Sequence, residues 1–191
     1  MRMKATVFEG PGRMEVGQLD LAACGPGDVV VRVHACGIPG SDVCNSRTGL
    51  KADVGARVMG PEFTAVVSEV GAEVRRFRLG DRLAVAPDVS CGECHYCKRG
   101  LVKLCAQHRM VGTHWPGGFA EHVHLPREVL ARGMVHHLPQ GLSLDTAALS
   151  EPAASDRVYH PDAAAHAARL AVYRELHGAL RPIRRRLQVP R

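Results

Sequence analysis

The 191-residue sequence lacks several features that define special classes of protein. No apolar run approaches the roughly 20 residues that cross a bilayer, and the opening MRMKATVFEGPG has no continuous apolar segment of the kind that a secretory signal needs. There is no internal repeat and no low-complexity segment. We therefore predict a cytoplasmic protein without a membrane partner, whose 46% of apolar residues can supply a packed core.

The net charge of +6 is concentrated near the C-terminus. From Asp156 onward, eight arginines and three acidic residues leave a charge of +5, so the first 155 residues are nearly neutral. No aromatic or groove-reading motif accompanies the basic stretch RPIRRR. We interpret residues 156–191 as a solvated basic tail and expect no nucleic-acid partner.

Residues 1–155 contain short runs typical of strands, separated by glycine and proline turns. β-branched or alternating apolar residues occupy DVVVRVHA (28–35), TAVVSEV (64–70), DRLAVA (81–86) and AEHVHL (120–125). Short strands at such spacing favour a β-barrel or a partly open sheet. The predicted fold class of this region is therefore mainly β.

The composition changes near residue 155. An alanine-rich stretch begins at Pro161 and ends at Pro182, and its apolar residues recur at spacings of three and four, the period of one helical face. These residues are Ala163, Ala167, Leu170, Tyr173, Leu176 and Leu180. The pattern predicts a C-terminal α-helix within the basic tail.

The most specific motif is CGECHYCKRGLVKLC, with the spacing C-x2-C-x2-C-x7-C. Its cysteines are Cys91, Cys94, Cys97 and Cys105. Structural zinc prefers four thiolates in a tetrahedron, and two-residue gaps turn successive sulfurs toward one ion. Disulfides are not expected in a protein without an export signal, whereas an iron–sulfur cluster also uses four thiolates and stays an alternative on spacing alone. We favour a structural zinc in a lobe of about residues 87–112.

With this cluster in place, the region from about 1 to 155 resembles the zinc-dependent medium-chain alcohol and polyol dehydrogenases, especially the sorbitol and xylitol dehydrogenase branch. The matching stretches are CGIPGSD, GPEFTAVVSEVG, FRLGDRLAVAPDVSCGECHYCKRGLVKLC, GGFAEHV and LSEPAA. The resemblance implies a GroES-like, partly open β-barrel with a zinc-binding lobe. It also implies NAD(P)-dependent oxidation of a small alcohol or polyol to a ketone or aldehyde.

The resemblance further implies a set of catalytic residues. Cys36 is the expected thiolate ligand of a catalytic zinc, and Ser41 lies where the family has a hydroxyl that relays the substrate's proton. Glu62 and Glu151 are the expected glutamates around that zinc. An open zinc polarises the alcohol oxygen and lowers its pKa, while hydride leaves to a nicotinamide. Without the resemblance, Cys36 is equally well read as a buried apolar thiol.

Two prolines depart from the family pattern. Pro61 replaces the histidine ligand of the family's Gly-His-Glu turn, and proline has no donor atom for a metal. Pro39 replaces a common second cysteine, and Cys44 stands where a histidine usually follows. Cys44 or His34 are the alternative ligands, but no spacing argument brings either to the site. We therefore predict that the catalytic zinc is weakly held or absent.

The glycine pattern G-x-G-x-x-G, which binds the pyrophosphate of a nicotinamide dinucleotide in Rossmann domains, has no match. From residue 152 to residue 191 only 40 residues follow, far fewer than the doubled fold needs. We expect no Rossmann domain and no cofactor-binding residue in this chain. Residues 159–182 instead resemble the C-terminal helix of xylulokinase-type sugar kinases, which suggests a fusion of two neighbouring genes.

Two functions follow from these observations. The first is an oxidoreductase-family domain that keeps the structural zinc and is inactive alone, so that activity would need a homo-oligomer or a relative supplying the nucleotide domain. The alternative is a zinc-stabilised interaction module without catalysis, favoured by the loss of histidine at position 61.

Overall fold

The computed structural model describes residues 1–50 and 55–149. Within these ranges the chain forms nine strands and three α-helices. The strands are β1 (Arg2–Gly10), β2 (Arg13–Asp20), β3 (Val29–Cys36), β4 (Arg57–Val58), β5 (Phe63–Val70), β6 (Arg82–Val89), β7 (Arg109–Met110), β8 (His122–Leu125) and β9 (Gly133–His137). The helices are α1 (Gly40–Thr48), α2 (Arg127–Arg132) and α3 (Leu144–Leu149), with 3-10 turns at Cys97–Arg99 and Val102–Leu104. The predicted mainly β class is confirmed.

The strands form two antiparallel sheets. The smaller has the order β2-β1-β4, and the larger has the order β7-β6-β5-β3-β8 with β9 paired to β6. Backbone hydrogen bonds join the sheets, since Thr6 N–H donates to the Phe119 carbonyl at 2.8 Å and Glu121 N–H donates to the Lys4 carbonyl at 3.0 Å. These contacts curl the strands into a partly open barrel.

The core lies inside the curled larger sheet. Successive side chains of a strand point to opposite faces, so alternate residues of β3, β5 and β6 reach the interior. Its members include Val29, Val31, Phe63, Ala65, Val67, Leu83, Val85, Val123, Leu125 and Val135. The interior apolar residues therefore fix the register, because a slip by one residue would move the whole set to the opposite face of the sheet.

The predicted runs agree with the strands except at their ends. The runs at 28–35, 64–70, 81–86 and 120–125 correspond to β3, β5, β6 and β8. The hairpin of β1 and β2 and the short helix α1 were not anticipated. The C-terminal helix predicted within residues 156–191 and the candidate residue Glu151 lie outside the described residues. Among the described residues, no helix is both long and apolar enough to cross a membrane.

Candidate metal centres

The four-cysteine lobe leaves and rejoins the larger sheet at one place. β6 ends at Val89, the chain loops out through the cysteines, and β7 returns with Arg109 paired to Val89. Gly92 and Gly100 both have φ of 75°, a left-handed conformation that lets the loop reverse direction between cysteines. The tight turns keep successive thiols on the same side of the loop.

The four thiols converge. The ligand atoms of Cys91, Cys94, Cys97 and Cys105 all lie within 4.8 Å of one another. The Sγ atoms of Cys91 and Cys97 are 3.9 Å apart. A tetrahedral zinc with Zn–S bonds of about 2.3 Å requires sulfurs about 3.8 Å apart. The spacing therefore fits a zinc ion held by these four residues, with small adjustments.

Backbone amides point at the sulfurs. Cys94 N–H donates to Cys91 Sγ and Cys91 N–H donates to Cys105 Sγ, each at 3.3 Å. Hydrogen bonds from the backbone at Cys97 and Ala106 lower the pKa of Cys94 to about 6, and a bond from the backbone at Cys91 lowers the pKa of Cys105. These donors stabilise thiolate, the form that binds a metal.

One thiol of the lobe opposes ionisation. Desolvation and then hydrogen bonding with the Cys94 sulfur raise the pKa of Cys97 to about 11. Four thiolates in so small a space repel one another, and a divalent cation at their centre would offset that repulsion. Because all four ligands come from cysteine, no position is left open for a substrate, and the zinc they would hold is structural.

The second centre lies where β3 ends. Cys36 is the last residue of β3 and pairs with Phe63 of β5. Its thiol is directed at the Glu62 carbonyl, with Sγ and O 3.3 Å apart, and at the Gly37 carbonyl at 3.4 Å. Strand pairing therefore brings two of the predicted site residues, Cys36 and Glu62, to the same edge of the sheet.

A tightly packed turn forms the wall beside this thiol. Gly60 has φ of +88°, and a Cβ built there would lie 2.8 Å from Cys36 Sγ. A Cβ at Gly112 would lie 3.0 Å from the Pro61 backbone nitrogen, so the loop after β7 packs against the same turn. Pro61 is buried there. Position 61 is thus close to Cys36 in space, but its side chain carries no donor.

Two carboxyl groups influence the thiol. Burial, followed by the charges of Asp42 and Glu62, raises the pKa of Cys36 to about 12. Asp42 itself is only 5% exposed, and its Oδ2 atom is buried without a hydrogen-bond partner among the described residues. Burial and then the charge of Glu62 raise the pKa of Asp42 to about 6. At this edge of the barrel the charges of Asp42 and Glu62 therefore oppose ionisation of the Cys36 thiol, and the charge of Glu62 opposes ionisation of Asp42.

The predicted proton-relay residue Ser41 and the alternative ligand Cys44 lie on α1, and the alternative ligand His34 lies on β3. Ser41 is exposed in the first turn of α1. Cys44 is exposed on the same helix, with its Sγ 3.7 Å from Thr48 Oγ1. His34 Nε2 lies 3.2 Å from Asp145 Oδ1 of α3. Across residues 1–50 and 55–149, the lobe is the one group of three or more ligand side chains compact enough for a metal.

Asp42 was not anticipated as a site residue. It follows Ser41 directly in the CGIPGSD stretch, so the sequence contained it, but an aspartate in the first turn of a helix is ordinarily read as a helix-stabilising charge. Its burial next to Cys36 depends on how α1 packs, which the local sequence does not report.

Comparison with known proteins identifies the family. Residues 25–139 match the alcohol dehydrogenase GroES-like domain, and the chain belongs to that family. The predicted fold and the predicted relationship to zinc-type alcohol and polyol dehydrogenases are confirmed, and the four-cysteine cluster fits the predicted structural zinc.

The relatives are longer proteins. D-arabitol-phosphate dehydrogenase of Enterococcus avium is 36% identical over 155 residues, covering 80% of this chain and 43% of that protein. Sorbitol dehydrogenase of Bacillus subtilis (strain 168) is 32% identical over 154 residues, covering 78% and 42%. A cobalt- and zinc-bound thermostable alcohol dehydrogenase from Pyrobaculum aerophilum matches with a TM-score of 0.68 and 27% identity, covering 78% of this chain and 44% of that one. The chain spans about two fifths of the length of the curated relatives it matches.

Proposed function

We propose that this chain is the zinc-stabilised, GroES-like half of an NAD(P)-dependent alcohol or polyol dehydrogenase, with its catalytic metal centre disabled. The observation that carries the proposal is the turn beside Cys36. Cys36 and Glu62 meet at the edge of the sheet, but Pro61, directly before Glu62 in that turn, has no donor atom. The structural zinc supports the fold and takes no part in chemistry.

The coordination requirement supports this proposal. A catalytic zinc keeps three protein ligands and one open position for water or substrate. Of the ligands expected here, Glu151 lies outside the described residues, and Cys36 is a buried thiol whose pKa is raised to about 12. Loss of one neutral imidazole from such a set leaves fewer protein ligands than a catalytic zinc requires. We expect the site to bind zinc weakly or not at all.

Hydride transfer also needs a nicotinamide. In this proposal the dinucleotide is bound by protein outside the described residues, either elsewhere in an oligomer or on a separate relative. The substrate would be a small alcohol or polyol, as the names of the relatives suggest. The protein is expected to act in the cytoplasm.

Zinc content tests the proposal. Purified protein should contain one tightly bound zinc per chain by mass spectrometry of the metal, and the variant Pro61→His should bind a second. Pro39→His is the matched control, because it adds an imidazole at the other proline of the site, directly before α1. Two tightly bound zinc ions in the unaltered protein would contradict the proposal, as would equal zinc gains in the two variants.

A second assay separates this function from that of a zinc-stabilised interaction module. The protein is incubated with NAD or NADP and a panel of polyols while the absorbance of reduced cofactor is followed, with and without the Pro61→His change. The assay is repeated with an intact relative that supplies the nucleotide domain, and turnover by the variant in that mixture, above that of the relative alone, would favour a disabled dehydrogenase. If the Pro61→His change adds no turnover there, the interaction module becomes the better description.

A further inference from the structure

A small cavity lies between the zinc lobe and helix α2, away from the turn at Pro61. Its volume is about 50 Å³. Residues from three segments line it: Val89, Ser90, Cys91, Gln107, Arg109, Glu128 and Arg132. The lining is mostly polar: Arg109, Glu128 and Arg132 are exposed, whereas Val89 and Cys91 are buried.

Strand pairing holds these segments together. Val89 of β6 is paired with Arg109 of β7 on one side and with Gly133 of β9 on the other. Gly133 directly follows α2, so the end of that helix is anchored next to the same strand. Glu128 and Arg132 are four residues apart on α2 and share one helix face. The cavity is therefore a fixed feature of the joint between the lobe and the barrel.

Charges at the cavity are unbalanced. Among the described residues, the Arg132 guanidinium has neither a salt bridge nor a hydrogen bond. The Arg109 guanidinium lies over the Trp115 ring, 5.9 Å from its centroid. Glu128 is the one carboxylate in the lining, so two arginines and one glutamate leave +1. Ser90 and Gln107 add a hydroxyl and an amide, both able to donate hydrogen bonds.

We propose that this cavity binds a tetrahedral oxyanion, either inorganic phosphate or the phosphate group of a small metabolite. A volume of this size holds roughly four water molecules or one such ion. Guanidinium groups donate paired hydrogen bonds to oxyanions, and two of them line this cavity beside a single carboxylate. The same two arginines disfavour a metal cation. The occupant is thus an anion rather than a second metal.

The bound ion would brace the lobe against the barrel. Arg109 and Gln107 belong to the lobe and its return strand, whereas Arg132 belongs to α2, so an oxyanion between them adds contacts across the joint. This inference is independent of the proposed dehydrogenase function, because it involves neither Cys36 nor a nicotinamide. Its test therefore needs no catalytic activity.

The test is calorimetric titration of the zinc-loaded protein with inorganic phosphate at constant ionic strength in chloride. We expect saturable binding to one site. Replacing Arg132 or Arg109 by glutamine should weaken binding about tenfold or more, because a charge-assisted hydrogen bond is lost. Arg99→Gln, in the lobe but outside the cavity, is the matched control and should leave the affinity unchanged. Arg132→Lys keeps the charge without the planar fork and should give an intermediate affinity.

Two further measurements make the result decisive. Zinc content and circular dichroism establish that each variant folds. If Arg132→Gln does not fold, the phosphate affinity of Arg109→Gln decides the test. A sugar-alcohol phosphate is titrated beside inorganic phosphate: tighter binding of the former identifies a larger ligand, whereas equal affinity identifies the free ion. Absence of saturable binding of both inorganic phosphate and the sugar-alcohol phosphate overturns the proposal, as does unchanged affinity in both glutamine variants.

Discussion

Replacing Asp42 by asparagine should stabilise the protein at neutral and alkaline pH. The carboxyl group is 5% exposed, its Oδ2 atom lacks a hydrogen-bond partner among the described residues, and its pKa is raised from 3.8 to about 6 by burial and by Glu62. Asparagine keeps the shape of the side chain and removes the charge. A buried charge without a partner is destabilising, so its removal should be favourable.

The magnitude follows from the pKa. One pKa unit corresponds to about 1.4 kcal/mol, so a rise from 3.8 to about 6 corresponds to roughly 3 kcal/mol at most. The position of Asp42 in the first turn of α1 offsets part of that cost, because the helix dipole favours a negative charge there. We expect a gain of about 1 to 3 kcal/mol in the free energy of unfolding at pH 8.

The pH dependence of the free energy of unfolding tests the sign of this effect. Below 3.8 the carboxyl is protonated in both the folded and the unfolded state, so the Asp42 charge costs nothing. Between 3.8 and about 6 only the unfolded state ionises, and the penalty grows with pH until it is complete above about 6. The advantage of Asp42→Asn should therefore be large at pH 8 and should nearly vanish close to pH 4.

Urea unfolding followed by circular dichroism, at several pH values, measures this difference. Asp20→Asn, at an exposed carboxyl at the end of β2, is the control and should change stability little at any pH. A stabilisation that does not depend on pH would refute the electrostatic reasoning. So would a loss of stability at pH 8, which would mean that the ionised carboxylate has a favourable partner.

Three other changes test the remaining structural arguments. Cys105→Ser should release the zinc and lower the melting temperature, measured by metal analysis and calorimetry, whereas Cys24→Ser outside the lobe should retain the metal. Gly60→Ala should cost roughly 3 kcal/mol or more in urea unfolding, because a Cβ there meets neighbours at 2.8 Å; Gly80→Ala, with similar φ and open space, should cost about 1 kcal/mol. Asp28→Asn should lower the free energy of unfolding by about 1 to 3 kcal/mol at pH 7. Burial raises the pKa of the Asp28 carboxyl, but hydrogen bonds from two backbone N–H groups and a histidine outweigh it, so that the pKa is lowered. The stability of the wild type should therefore fall as the pH drops below 3.8.

Each of these three has a contradicting result. Full zinc retention after the Cys105 change would mean that three thiolates suffice or that the metal lies elsewhere. Equal costs at the two glycines would attribute the whole effect to backbone conformation. An Asp28→Asn variant as stable as the wild type at neutral pH would show that the hydrogen bonds of the Asp28 carboxylate do not contribute to stability.

The sequence predicted the features that depend on local pattern. β-branched residues in alternation predicted β3, β5, β6 and β8, because a half-buried strand needs them at alternate positions. The spacing of the four cysteines predicted the zinc lobe, since two-residue gaps are enough to turn sulfurs toward one ion. Family motifs led to Cys36 and Glu62, which the strand pairing does bring together.

Features that depend on packing were beyond the sequence. β2 is largely exposed, with Met14 and Val16 on the surface. Its sequence therefore shows little of the alternation between apolar and polar residues that marks a half-buried strand. Helix α1 has the sequence GSDVCNSRT, whose residues are poor helix formers, and contacts with the rest of the domain must stabilise it. The burial of Asp42 follows from the packing of that helix, and Arg109 and Arg132 come to one cavity from two separate segments, β7 and α2.

The way the lobe joins the sheet has an evolutionary consequence. Because Val89 and Arg109 face each other across a strand pair, the two ends of the intervening stretch, residues 90–108, are held about 5 Å apart. Because its two ends are so close, residues 90–108 can be removed and the gap closed by a short hairpin turn. The same segment can be inserted between two strands of another antiparallel sheet without changing the register of that sheet. Lineages of this fold can thus gain or discard the metal without redesigning the barrel.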